Sequence, residues 1–301
     1  EGTCSHDLEA LSPVVLENPL RARRCCFATD DRAPSDALAI GMIDNACRLA
    51  VERGIDPVLA ISMGTLSTAE CFGLDHGHGG PLEHRGAIAP GKRADLLLLD
   101  DLSFERAPHR VYAAGKLVAE DGLFVGDVAP ETARVQELEA TLRGSVRLPE
   151  LSPEVFSYDF QPGSAVIDVI PGNAITRAAH PDSSEGLRRI MLIERHGRGV
   201  AAQAAGTDGT GPAGCGLTGT HIGRGWVRGF TITGGAIAST VGHDSHNVCV
   251  VGDNPHDMFE AVRNVGQGGF VLVRDGAVVA KLALPLGGLM SDGTAEDVDR
   301  E

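Results

Sequence analysis

Three passages hold residue types able to do chemistry. His243-Asp244-Ser245-His246 sets two imidazoles three residues apart around a carboxylate and a hydroxyl. Such groups can converge in a turn or on one helix face, and serve as metal ligands or proton carriers. The bland alternative is a buried polar network bracing its domain. Asp30-Asp31 follows the short apolar run Arg24–Ala28. Acids at the end of a strand stand where (β/α) barrels keep their active-site groups, although a helix N-cap or turn acid has the same address. Glu194-Arg195-His196-Gly197 ends another apolar run, so Arg195 and His196 either line a cleft or belong to a salt-bridged strand end. His76, His78 and His84 have the look of a metal site, but they lie in a Gly-rich loop and are not read as one; His180, His221 and His256 sit singly in loops and are read as surface residues.

The elements that must position these groups follow from periodicity. Arg24–Ala28 reads as a buried strand, with Thr29-Asp30-Asp31 at its C-terminal end. Leu38, Ile40, Ile43, Ala46, Leu49 and Ala50 have helical spacing, which predicts one helix over 35–53 after Pro34, closed by Gly54. Asp56-Pro57 opens another, running to about Phe72. Strand, acidic turn, helix, helix is the ending of a (β/α) barrel. Residues 74–85 read as a loop and 94–100 as a buried strand, and Gly115 turns a hairpin between 111–114 and 116–119. A helical connector follows over 130–143. Beyond Ser152, β-like runs at 166–170, 190–194, 226–231, 248–251 and 269–273, with a helix at 255–265, predict a separate α/β or α+β domain. The Gly-rich stretch 233–240 reads as a sharp loop allowing close backbone approach, and 197–225 as an insertion without chemistry.

Composition bounds the partners. Hydrophobic residues make up 43% and charged residues 22%, ordinary for a globular chain. A net charge of −15 without a basic stripe opposes nucleic-acid binding. No apolar run is long enough for a membrane helix, and no secretory signal is legible. Seven cysteines without Cys-x-x-Cys spacing suggest buried thiols in a reducing compartment, hence the cytoplasm.

Three passages resemble the adenine deaminase family of the amidohydrolase superfamily. They are Cys26–Arg32 with Gly41-Met42-Ile43-Asp44 and Gly54-Ile55-Asp56-Pro57; Gly86–Leu96; and Gly234–Asn247 with Leu284–Ser291 downstream. The middle passage is shared by many amidohydrolases; the flanking two are far more specific. The resemblance implies the C-terminal end of a metal-dependent (β/α)8 barrel (1–80), part of a small β-sandwich (81–128), a connector helix (129–150) and a C-terminal adenine deaminase domain of α/β or α+β type (151–301).

The implied activity is hydrolytic deamination of adenine to hypoxanthine and ammonia in purine salvage, by a divalent metal: Mn²⁺ or Fe²⁺, with Zn²⁺ as a further option. By resemblance Asp30 ligates metal and moves protons, while His243, Asp244 and His246 act in catalysis. Asp31, Ser245, Arg195 and His196 would contact substrate. The family's His-x-His pair and other metal ligands are not in this sequence, which is expected to be an incomplete piece of the enzyme. Met42 and Asn45 stand where family members often have His. The implied partners are the small molecule adenine and further copies of the chain in a homo-oligomer, with no nucleic acid and no membrane. Rival readings are another cyclic-amide hydrolase, of dihydropyrimidinase-like or imidazolone type, and a non-catalytic accessory chain that associates with the rest of a barrel.

Overall fold

A computed structural model describes residues 1–76, 84–127, 133–171, 175–197, 222–242 and 245–301. The chain divides into two compact units, Glu1–Pro130 and Glu131–Glu301. It is a mixed α/β protein, and among the described residues no helix is long and apolar enough to cross a membrane.

The first unit begins with short helices α1 (Leu8–Leu11) and α2 (Pro13–Glu17) and a 3-10 turn over Pro19–Arg24. The expected strand at Arg24–Ala28 is not formed. Cys25 is extended (φ −116°, ψ 140°), and Phe27 is buried, but among the described residues no strand pairs with the run. Extended sequence becomes a strand only when a partner takes its backbone groups.

The two predicted helices are each broken. The first is α3 (Pro34–Ile40) and α4 (Ile43–Glu52), interrupted where Gly41 takes φ 88°. A side chain there would also overlap the Asp44 carboxylate, which accepts the Met42 N–H at 2.7 Å. The second is α5 (Pro57–Gly64) and α6 (Leu66–Cys71), interrupted at Thr65. Asp56 caps α5 by accepting the Val58 and Leu59 N–H groups at 2.9 and 3.2 Å. Phe27, Ala46, Cys47, Ala50, Ile55, Ala60 and Met63 form the small core of these elements.

A four-stranded antiparallel sheet completes the unit, in the order β1 (Leu96–Leu98), β2 (Arg110–Ala113), β3 (Lys116–Glu120), β4 (Leu123–Phe124). The predicted hairpin is present, with Ala114 and Gly115 both at positive φ, as a tight two-residue hairpin turn needs. The expectation of a buried strand over 94–100 fails, because Leu97 and Leu98 are exposed. Ahead of β1, Asp95 takes Arg85 at 2.7 Å, Arg93 at 2.9 Å and the Ala114 N–H at 2.8 Å.

The second unit carries helix α7 (Ala133–Leu142) and an eight-stranded sheet. Its strands are β5 (Val166–Val169), β6 (Thr176–Ala179), β7 (Arg188–Ile193), β8 (Ile222–Arg228), β9 (Ala236–Ser239), β10 (Val248–Gly252), β11 (Gly269–Arg274) and β12 (Ala277–Ala283). They run in the order β12-β11-β9-β10-β7-β8-β5-β6, with β5 and β8 parallel and every other pair antiparallel. The segment expected to be a sharp loop is central strand β9. Ala236 and Ala238 are fully buried there, so their small size serves packing. Strand β8 starts at Ile222, inside the predicted insertion, whose residues 198–221 lie outside the described ones.

Helix α8 (Pro255–Asn264) is capped by Asn254, whose side chain accepts the Asp257 N–H at 2.8 Å. Met258, Ala261, Val262 and Val265 recur at helical spacing. They join Ala236, Ala238, Val250, Val271 and Val273 in one fully buried core. On β7 and β8, Arg189 lies 5.2 Å from the Trp226 ring and 5.7 Å from the Tyr158 ring. The Tyr158 hydroxyl donates to the Ile190 and Gly225 carbonyls at 3.0 and 2.9 Å, and burial pushes its pKa up to about 12. A short helix, α9 (Ala295–Arg300), ends the chain, started by a Thr294–Asp297 capping box.

The cysteines correct the expectation of buried thiols. Cys47 is buried, whereas Cys4, Cys26 and Cys71 are exposed.

Candidate functional site

In the first unit the acids follow directly from the extended run. Asp30 sits at φ 51°, in the left-handed region that a non-glycine residue rarely adopts. Asp30 is exposed and lines an open cavity of about 630 Å³ with Glu1, Asp7, Cys26 and Phe27. Asp31 turns the other way. One of its oxygens accepts the Cys4 N–H at 3.1 Å. The other, Oδ1, is buried without a hydrogen-bond partner and packs so closely on Gly2 that a side chain there would overlap it.

Neither acid caps α3, whose N-cap is Ala33 with no side-chain bond. Arg32 does not pair with Asp31 but donates to the Glu1 carbonyl at 2.7 Å. Thr3 completes the bracing, accepting the Ala33 N–H at 2.7 Å and donating to Asp36 at 2.6 Å. Residues 1–4 were not among the predicted site residues, and the turn at Asp30-Asp31 is fixed by them.

In the second unit the ladder between β7 and β10 places Ile193 opposite Val248. The residues just past it therefore meet: Glu194, Arg195 and His196 from one strand, Ser245, His246 and Asn247 from the other. His196 Nε2 donates to the Ser245 carbonyl at 3.1 Å. The Gly242 N–H donates to His246 Nδ1 at 3.2 Å, and the His246 N–H to the Gly242 carbonyl at 2.6 Å. His246 takes φ 48°, so the loop turns sharply at this residue. His243 and Asp244 lie outside the described residues.

Arg195 is 3% exposed and forms no salt bridge among the described residues, so the expectation of a salt-bridged strand end is replaced by a different arrangement. Its Nη1 donates to the Gly287 carbonyl at 2.8 Å, while its Nε is buried without a partner. Burial lowers its pKa from the ordinary arginine value. The neighbouring Gly287 and Gly288 both have positive φ, and a side chain on Gly288 would overlap the guanidinium. Thr240, fully buried at the end of β9, secures the same turn. Its hydroxyl donates to the Gly288 carbonyl at 2.5 Å and accepts the Gly269 N–H at 2.7 Å. Sequence reasoning missed Thr240 and Asn247, whose Oδ1 is buried without a partner. The tandem glycines at 287–288 were the legible signal that a bulky group is accommodated nearby.

Among the described residues no three His, Cys, Asp or Glu groups converge as a metal site would require. Asp30 alone is not a metal centre. His76 lies 2.6 Å from Asp75, and His78 is outside the described residues.

Comparison with known proteins finds similarity along nearly the whole chain. Residues 5–118 match the amidohydrolase family, and residues 216–301 match the adenine deaminase C-terminal domain. An adenine deaminase from Nitratidesulfovibrio vulgaris strain DP4 is 40% identical over 311 aligned residues, covering 99% of this chain and 48% of that protein. Nearly the whole chain is thus similar to an adenine deaminase. Other adenine deaminases, from Methylobacterium nodulans and Oceanobacillus iheyensis, are 39% and 37% identical over 97% of the chain and 47% of their own lengths. The chain thus spans about half the length of the curated adenine deaminases it matches. The acids Asp30 and Asp31 fall inside the amidohydrolase match, and Ser245, His246, Thr240 and the Gly287-Gly288 turn inside the adenine deaminase C-terminal match.

Proposed function

We propose that this chain provides part of an adenine deaminase that hydrolyses adenine to hypoxanthine and ammonia. The observation that carries the reading is the 40% identity to an adenine deaminase over 99% of the chain. In this reading α3–α6 and the extended run before Asp30 are the end of a (β/α)8 barrel, β1–β4 belong to a small β-sandwich, and the segment after about 150 is the C-terminal domain. The setting we propose is cytoplasmic purine salvage, in a homo-oligomer that binds neither nucleic acid nor membrane.

The family's chemistry calls for a divalent cation, with Mn²⁺ or Fe²⁺ favoured over Zn²⁺. The described residues do not by themselves form a site for one, so no step through it is assigned to them. Replacing an amine by water requires a base for the water and an acid for the leaving group. Asp30 is the proposed carrier, as an exposed acid that lines the cavity and lies within the amidohydrolase match; it is also the residue we propose as a metal ligand. His246 accepts a backbone N–H on Nδ1, which leaves the proton of its neutral ring on Nε2 as a donor. His196 donates from Nε2, which leaves Nδ1 as an acceptor. We propose His243, Asp244 and His246 as catalytic residues, and Ser245, His196, Asp31 and Arg195 each as a substrate contact.

The test is the ultraviolet assay for adenine loss with Mn²⁺ supplied, on this chain and on a polypeptide spanning the full length of its relatives. Turnover in the longer protein that falls by about 100-fold or more in Asp30→Asn supports the reading. Unchanged turnover in that variant would remove Asp30 from the reaction, and absence of turnover on adenine in the longer protein would remove the activity.

A further inference from the structure

The ends of β7 and β9 are gripped by one two-residue turn. Arg195, just past β7, donates from Nη1 to the Gly287 carbonyl at 2.8 Å. Thr240, just past β9, donates its hydroxyl to the carbonyl of the next residue, Gly288, at 2.5 Å. The turn itself has little freedom. The Gly287 N–H donates to the Leu142 carbonyl at the end of α7 at 3.2 Å, and Leu286 and Met290 close the turn with two backbone bonds of 3.1 Å each. A side chain on Gly268 would overlap Gly288, so the turn also lies against the backbone that enters β11. Arg195 and Thr240 are 3% and 0% exposed, and a buried donor or acceptor is costly to strand. Each gripped strand end leads straight to an imidazole. His196 follows Arg195, and Gly242, two residues past Thr240, donates its N–H to His246 Nδ1 at 3.2 Å.

We propose that Thr240 and Arg195 are positioning residues that hold His196 and His246 in one fixed arrangement through the consecutive carbonyls of Gly287 and Gly288. The arrangement sets where each neutral ring carries its proton. The Gly242 N–H occupies His246 Nδ1 and so keeps that ring's proton on Nε2. The Ser245 carbonyl, 3.1 Å from His196 Nε2, keeps the His196 proton on Nε2 as well. A shift of either strand end loosens these bonds and lets the rings carry their protons on either nitrogen. Because the turn is shared, loss of the Thr240 hydroxyl is felt at His196, and loss of the Arg195 guanidinium at His246, although neither pair is in hydrogen-bond contact. Only the bearing of this arrangement on adenine hydrolysis rests on the function proposed above.

The experiment is the long-range proton–nitrogen spectrum of the histidine rings in the isotope-labelled full chain, at mildly alkaline pH where imidazoles are neutral. In the wild type, His196 and His246 should each give the pattern of a ring protonated on Nε2 alone. Thr240→Val should turn the His196 signals into those of a tautomer mixture, and Arg195→Lys should do the same for His246. Thr240→Ser keeps the hydroxyl and should leave both rings as in the wild type. His180, whose Nδ1 lies 3.0 Å from the Gly163 carbonyl, should keep its signals in every variant, which separates the effect from general loosening. Confinement of each change to the histidine on the substituted strand end would overturn the proposal, as would identical spectra for Thr240→Ser and Thr240→Val. If Thr240→Val does not fold, Arg195→Lys makes the same test from the other side. A tautomer mixture at either ring in the wild type would overturn the proposal without any variant. The readout uses no adenine, so loss of the proposed activity and loss of this positioning role are separate results.

Discussion

The core beneath α8 and the sheet β1–β4 are built from the same kinds of residue and use them differently. Met258, Ala261, Val262 and Val265 meet β9, β10 and β11 in a layer with almost no exposure. In β1–β4 no residue is buried, and Leu97, Leu98, Leu123 and Phe124 stand open. Hairpin turns and backbone ladders are sufficient to draw the small sheet. Burial of apolar surface, at about 25 cal/mol per Å², is what distinguishes a sheet that holds itself from one held by its turns and ion pairs. The difference assigns stability to the second unit's core and predicts where substitutions will be felt.

Truncation of Met258 to Ala should cost roughly 2–5 kcal/mol, read from urea unfolding by the fluorescence of Trp226, which is the chain's single tryptophan. A cost below about 1 kcal/mol would mean that the α8 layer is not what holds the sheet. Thr240→Val comes next, at about 2–4 kcal/mol by the same readout, because it strands a buried N–H of Gly269 and a buried carbonyl of Gly288. A stable Thr240→Val protein would show that the turn at 287–288 stands without its brace.

The small sheet should instead respond to acid. Burial acts to raise the pKa of Asp95, but the Ala114 N–H with Arg93 and Arg85 outweighs it and holds the carboxyl below its ordinary value. A carboxylate depressed by folding stabilises the fold above its unfolded pKa, near 3.9, and that contribution is lost as pH falls through the lowered folded value. Exchange protection of the Ala114–Gly115 hairpin should therefore drop below about pH 4 in the wild type. It should be lower at neutral pH in Asp95→Asn. Equal protection in the two proteins would detach the hairpin from Asp95. The smallest effect is expected of Phe124→Ser, within about 0.5 kcal/mol by thermal unfolding, since its ring is exposed. A larger loss would mean that this face is covered in solution.

Legibility in the sequence followed the same divide. Helix α8 was readable because Pro255, its acidic first turn and its spacing of Met258, Ala261 and Val262 all agree. The hairpin at Gly115 was readable from its turn. Strand β9 was not: Ala236, Ile237, Ala238 and Ser239 are flanked by glycine and lack the bulk of a strand signal, since their small size answers to α8. At Cys25–Ala28 the sequence is extended and apolar, but pairing depends on a partner that a local pattern does not contain. In the candidate site, Asp30, His196 and His246 were visible as chemical types. The roles of Thr240 and Gly288 were hidden, because they act through backbone atoms of segments far away in the chain.

The strand order of the large sheet also bears on how it assembles. Strands β11 and β12 meet across the short Asp275-Gly276 turn, and α8 lies between β10 and β11 in the chain. Val166 on β5, by contrast, must find Trp226 on β8, which puts β6, β7 and everything between them inside the loop being closed. Closing such a loop before any reward arrives slows a folding step. Pulse-labelled refolding should accordingly protect the amides of β11 and β12 before those of β5, making the last-formed edge the moment at which a newly made chain is most open to mispairing.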